Sequence, residues 1–224
     1  MKRRVYCIII ASISISFCAV AQSETGYHNF IDRVENPSII KTGAIPIVYK
    51  SVREGNFYIR SNEYKMGSVK YNGKVYYDLL LNINAHLDEL YVRDVSNTNS
   101  LVLSKDMIDY FYIDKKFYRN FKNGQMGGFY EVIAEGDVSV YKKVQKVFYE
   151  RVGADVFRGF HESISYFMID GDNVLKFSNP KKILNHYKPH KRAIKRELER
   201  TGMDHRVNPD AYLLFVIEWV NEHR

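Results

Sequence analysis

Between Val48 and Phe177 short apolar or aromatic runs alternate with clusters of Gly, Asn and Asp roughly every ten residues, the pattern of a β-meander. The runs are Phe57–Ile59, Val69–Tyr71, Val75–Ile83, Leu90–Arg93, Leu101–Leu103, Tyr110–Ile113, Phe129–Ala134, Val138–Tyr149, Ile164–Ile169 and Val174–Phe177. No long helical segment separates them, so strands that follow one another in sequence pair antiparallel. Asn72-Gly73, Glu135-Gly136-Asp137 and Asp170-Gly171-Asp172-Asn173 mark turns, and Ser104–Asp109 reads as one helical turn. The sheet is expected as a meander or a partly closed barrel.

After Phe177 the period changes. Asn179-Pro180 and Asn208-Pro209 each place a capping side chain before a proline, the arrangement of a helix with Pro at its first position. Lys181–Tyr187 is predicted as a short helix ended by Lys188-Pro189. His190–Thr201 is a second, closed by Gly202, and Asp210 to about Glu222 a third. The third contains "AYLLFVIEWV", apolar almost all round but far short of the ~20 residues that span a bilayer, so it is expected to be buried against the sheet or its sister helices. The fold class is therefore α+β, mainly antiparallel sheet (45–177) followed by a three-helix C-terminal cap (178–224).

The N-terminus, "MKRRVYCIIIASISISFCAVAQ", has three positive charges, an apolar stretch from Val5 to about Val20, and Ala19-Val20-Ala21 before Gln22. These are the parts of a secretory signal peptide. The expectation is a signal peptide over 1–21, cleavage after Ala21, one mature domain over 22–224 and a periplasmic or extracellular location. Lipidation of Cys18 is an alternative, opposed by the bulky Phe17 before it; an uncleaved anchor is another. Cleavage removes both cysteines, Cys7 and Cys18, so the mature chain holds no disulfide and no thiol. It also lowers the formal charge from +7 to +4.

The remaining positive charge is concentrated. From Lys176 to Arg206 ten basic residues face three acids, Glu197, Glu199 and Asp204, a local charge of +7. Such a patch attracts anions, whether phosphate headgroups, acidic polysaccharide or nucleic acid. Lys188, Lys191, Arg192, Lys195 and Arg196 are the candidate contacts. A solvated helix face is the plainer reading.

Local catalytic signatures are missing: there is no G-x-S-x-G elbow, no H-E-x-x-H helix, no phosphate loop and no EF-hand loop. His161 and Glu162 are adjacent in a predicted strand and point to opposite faces, so they form no dyad. His186 and His190 have metal-binding spacing, but Pro189 between them breaks the helix. Asp170-Gly-Asp-Asn suits a hairpin turn better than a calcium ion, which takes six or more oxygens. Asn123-Gly-Gln-Met-Gly-Gly128 precedes a strand rather than a helix and reads as a mobile loop. No cofactor and no metal site is expected.

The succession "GSVKYNGKVYYDLLLNINAHLDELYV", "LVLSKDMIDYFYI", "GGFYEVIAEGDVSVYKK" and "VLKFSNPKKILNHY" resembles a group of secreted Bacteroidetes-type proteins of uncharacterised function. The resemblance spans about residues 65 to 190. It departs at Asn82–Asp88, where "NINAHLD" stands in place of an aspartate-bearing turn. It implies export and this order of elements, with no activity attached.

Three function classes stand. The leading one is a non-enzymatic secreted or envelope protein that binds a protein or glycan partner through exposed tyrosines: Tyr58, Tyr71, Tyr76 and Tyr91. The others are an anionic-polymer or membrane-surface binder using the basic helices, and an envelope hydrolase. The hairpin around Asn72-Gly73 predicts Tyr71 opposite Lys74, Lys70 opposite Val75, Val69 opposite Tyr76 and Ser68 opposite Tyr77. On that register Val75, Tyr77, Leu79, Leu81 and Ile83 face the core. Val69, Tyr71, Lys74, Tyr76, Asp78, Leu80 and Asn82 lie on the other, mixed face, leaving Tyr71 and Tyr76 exposed.

Overall fold

The structure, a computed structural model, describes residues 43–93, 99–122, 124–153 and 155–223. The expected signal peptide, with Cys7 and Cys18, lies outside the described residues. Eleven strands form one sheet: β1 (Val52–Glu54), β2 (Lys65–Tyr71), β3 (Lys74–Asn84), β4 (Glu89–Arg93), β5 (Ser100–Val102), β6 (Ile108–Ile113), β7 (Lys116–Phe121), β8 (Gly128–Ala134), β9 (Val138–Val152), β10 (Val156–Asp170) and β11 (Asn173–Phe177). Their spatial order is β1-β10-β9-β8-β7-β6-β2-β3-β4-β5, with β11 also on β10. Every pairing is antiparallel except β1 with β10. A 3-10 turn (Lys105–Met107) precedes β6, and the C-terminal part holds α1 (Ile183–His186) behind a 3-10 turn (Pro180–Lys182), α2 (Lys191–Thr201) and α3 (Pro209–Glu222).

The sheet curls without closing into a barrel. The β3–β4 turn reaches β9, where the Lys146 amide donates to the Ala85 carbonyl at 3.1 Å and His86 Nδ1 lies 2.8 Å from the Lys146 carbonyl. Asp88 in that turn is ion-paired with Lys105 and, at 2.7 Å, with the buried Lys143. Gly128, at φ +92°, is required there, because a Cβ on it would run into the Asp88 carboxylate. The Gly-rich loop before β8 is anchored by Met126, 4 % exposed and packed with Tyr130, Tyr141 and Phe167.

The hairpin around Asn72-Gly73 departs from the expected register beyond its third pair. The turn and the first three pairs form as expected: Tyr71 with Lys74, Lys70 with Val75, and Val69 with Tyr76. The next pair is Gly67 with Leu79, so β3 has one residue more than β2 across this interval, a β-bulge, with Asp78 at φ +54°. An extra residue inverts the alternation. The core face therefore passes from Tyr76 on one side of the bulge to Leu81 and Ile83 on the other, and it includes Val69 and Tyr71. Tyr71 and Tyr76 are 3 % and 4 % exposed, against the expectation that they face solvent.

The same face continues across the sheet to the helices. Val140, Tyr166, Met168 and Phe177 share it by register and form the main core with Ile183, Leu184, Ile194, Leu198 and the α3 residues Leu213, Val216, Ile217 and Val220. On α3 the buried positions follow i, i+3, i+4, i+7, one stripe of a helix whose sequence is apolar nearly all round. Each such side chain contributes roughly 1.5–3 kcal/mol on burial. Leu214, off the stripe, is exposed.

Candidate anion-binding site

The tyrosines proposed as contacts are mostly interior. Tyr91 is fully buried, its hydroxyl accepting from Asn84 Nδ2 at 2.7 Å, and burial pushes its pKa well above the ordinary phenol value. Tyr58 is half-buried, its ring edge-on to Tyr91 at 6.2 Å. With Tyr71 and Tyr76 in the core as well, these rings pack the sheet.

The basic residues divide by position. Between Arg53 and Arg158 twelve basic side chains each lie within 4.0 Å of a carboxylate. On the helical end Arg200 pairs with Glu197 and Arg206 with Asp204, at 2.8 and 2.6 Å. Among the described residues no carboxylate pairs with Lys181, Lys182, Lys188, Arg192, Lys195 or Arg196.

Local chemistry places these cations. Asn179 Oδ1 accepts from the Lys181 amide at 3.0 Å and Pro180 occupies the first position of the 3-10 turn, so Lys181 and Lys182 project from a capped chain start. Pro189 then separates α1 from α2, which leaves His186 and His190 on different elements. On α2 the buried pair Ile194 and Leu198 fixes the helix face, and Gly202 closes it at φ +67°. Residues four apart stack along a helix. The row Lys191-Lys195-Glu199 therefore runs along one side of Ile194 and Leu198, and Arg192-Arg196-Arg200 forms the row beside it.

Two adjoining cavities follow the first row. A smaller one, about 180 Å³, is lined by Lys181, Lys182, Lys191 and Lys195 with Asn179 and Asn185. Lys191 Nζ donates to Asn185 Oδ1 at 2.9 Å. A larger one, about 540 Å³, shares Lys181, Leu184 and Lys195 with it and continues to Glu199, Met203 and Tyr212. The Arg206 guanidinium beside Asp204 holds that carboxyl at about 2, well below the usual range. Of the five predicted cations, Lys191 and Lys195 line these cavities, whereas Lys188, Arg192 and Arg196 do not. Lys181 and Lys182 are the contacts the prediction left out. Their signal was present in the sequence as two lysines directly after an Asn-Pro cap, but only the docking of α2 beside them gives them a concavity to line.

A second polar cluster ties the helices to the sheet. Glu131, 6 % exposed, is ion-paired with Lys116; Asp210 near the start of α3 is 2.7 Å from Lys142 and 3.8 Å from Lys116, and accepts from the Tyr166 hydroxyl at 3.0 Å. Two carboxylates and two lysines balance, so this arrangement fits a structural clasp. Among the described residues no group of His, Cys, Asp and Glu has the arrangement of a metal site, and no helix is long and apolar enough to cross a membrane.

The fold and site together define a class: a curled antiparallel sheet capped by a helical end that carries a lysine-lined groove. No family model matches the chain, and searches of curated proteins and of solved structures return no match.

Proposed function

We propose that the protein is exported and works without covalent chemistry, binding an anionic polymer in the groove between the Pro180 turn and α2. Export rests on the basic, apolar and small-residue succession of residues 1–22. The observation that carries the binding reading is the contrast in pairing: the sheet's cations are largely neutralised, while Lys181, Lys182 and Lys195 line a concavity with no carboxylate partner. Holding these like charges together costs free energy, which an anionic ligand offsets. Two cavities joined end to end suit a chain that runs through them, whereas a bilayer surface is flat.

Dextran sulfate is a suitable probe. Binding measured by titration calorimetry should weaken steeply as ionic strength rises from about 0.05 M to about 0.5 M, because the contacts are solvent-exposed and screened. Binding that ignores salt, or none at low salt, contradicts the reading.

A further inference from the structure

The two cavities differ in charge, and the difference selects among anions. The smaller is lined by four lysines and two side-chain amides, an environment for a carboxylate or sulfate. The larger keeps Lys181 and Lys195 and adds Glu199, Asp204, His205 and Arg206, so its formal charge is +1 against +4 for the smaller, and Arg206 is already held by Asp204 at 2.6 Å. A second full negative charge entering the larger cavity meets the Glu199 carboxylate, for which no cation partner is present among the described residues. The floor there is apolar and aromatic: Leu184, Leu198, Met203 and Tyr212. An apolar floor rimmed by hydrogen-bonding groups accepts the C–H face of an uncharged sugar ring and its hydroxyls.

We infer that the groove takes an acidic saccharide in which a charged ring is followed by an uncharged one, the charged group seated among Lys181, Lys182, Lys191 and Lys195 and the neutral ring over Met203 and Tyr212. The inference rests on the anion-binding reading and adds its ligand class. Nucleic acid and polyphosphate, which carry a charge on every unit, are disfavoured because the next charge falls in the cavity of lower positive charge, beside Glu199.

The test compares two probes of matched total charge at one ionic strength: a hyaluronan oligosaccharide, in which uronate alternates with neutral hexosamine, and linear polyphosphate. The wild-type protein should bind the oligosaccharide at least about tenfold more tightly, a difference of about 1.4 kcal/mol. Met203→Trp fills the larger cavity from a position already 37 % exposed. It should weaken the oligosaccharide about tenfold, and polyphosphate, which gains little from that cavity, by clearly less. Glu199→Lys, on the exposed face of α2, should strengthen polyphosphate severalfold. If polyphosphate binds wild type as well as the oligosaccharide does, or if neither variant shifts the ratio, the ligand class is wrong while the anion groove stands. If neither probe binds, the groove reading itself falls.

Discussion

Asn221 on α3 holds Val138 at the start of β9 by both main-chain groups: its Oδ1 accepts from the Val138 amide at 2.9 Å and its Nδ2 donates to the Val138 carbonyl at 3.1 Å. Gly136 makes room for it, since a Cβ at that position would come within 2.5 Å of Asn221 Nδ2. The side chain thus acts as an extra strand partner at the end of the sheet and sets how α3 lies on it. Asn221→Ala leaves a partly buried backbone donor and acceptor unmet, and should cost about 2 kcal/mol, read as a lower midpoint in urea unfolding. A midpoint unchanged from wild type would show that the helix is held by its apolar stripe alone.

The bulge at Asp78 makes a sharper prediction. Deleting Asp78 restores simple alternation and sends either Tyr76 or Leu81 and Ile83 to the wrong face, so the deletion should destabilise the fold by more than about 4 kcal/mol, or abolish it. Asp78→Gly keeps the extra residue and suits the positive φ of 54°. That variant should therefore destabilise the fold far less than the deletion does. Equal effects from deletion and substitution would mean that the register shift does not set the faces.

These residues also show what was legible beforehand. Local signals survived: Asn72-Gly73 made its hairpin, Asn179 and Asn208 capped their elements, and Gly202 closed α2. Strand β7 was missed because its turn is Asp114-Lys115, two non-glycine residues at φ +51° and +62°, which carry none of the glycine that usually announces such a turn. The Val156–Phe160 part of β10 carries no clear strand signal because charged and small residues interrupt it, and long pairing with β9 supplies its order instead. The faces of Tyr71 and Tyr76 were misread because "YYDLLL" contains no mark of the bulge. Of the groove, the α2 row was readable from spacing; the contribution of Lys181 and Lys182 depends on tertiary docking.

The buried tyrosines should make the fold sensitive to alkali. Burial first, and then the neighbouring carboxylates Glu131 and Asp210, push the Tyr118 and Tyr166 phenols well above their usual 10.0, and burial does the same for Tyr91. The folded state keeps protons that the unfolded state releases from about pH 10 upward. The stability they confer is therefore complete below that pH and is lost as pH rises above it. Phenolate absorbance should rise together with the loss of circular dichroism. Full ionisation of all tyrosines near pH 10 with the sheet intact would contradict their burial.

The lysines that line the groove, and not the local charge as a whole, are proposed to bind the ligand. Dextran sulfate affinity compared between two variants tests it: Lys182→Ala with Lys191→Ala and Lys195→Ala, against Lys188→Ala with Arg192→Ala and Arg196→Ala. Both sets remove three positive charges from exposed or partly exposed positions. The groove account predicts a loss of at least about tenfold, some 1.4 kcal/mol, for the first set and a two- to threefold loss at most, roughly 0.6 kcal/mol, for the second. Equal losses from the two sets, or a larger loss from the second, would show that the helical end attracts anions by diffuse charge and that the groove is not a site.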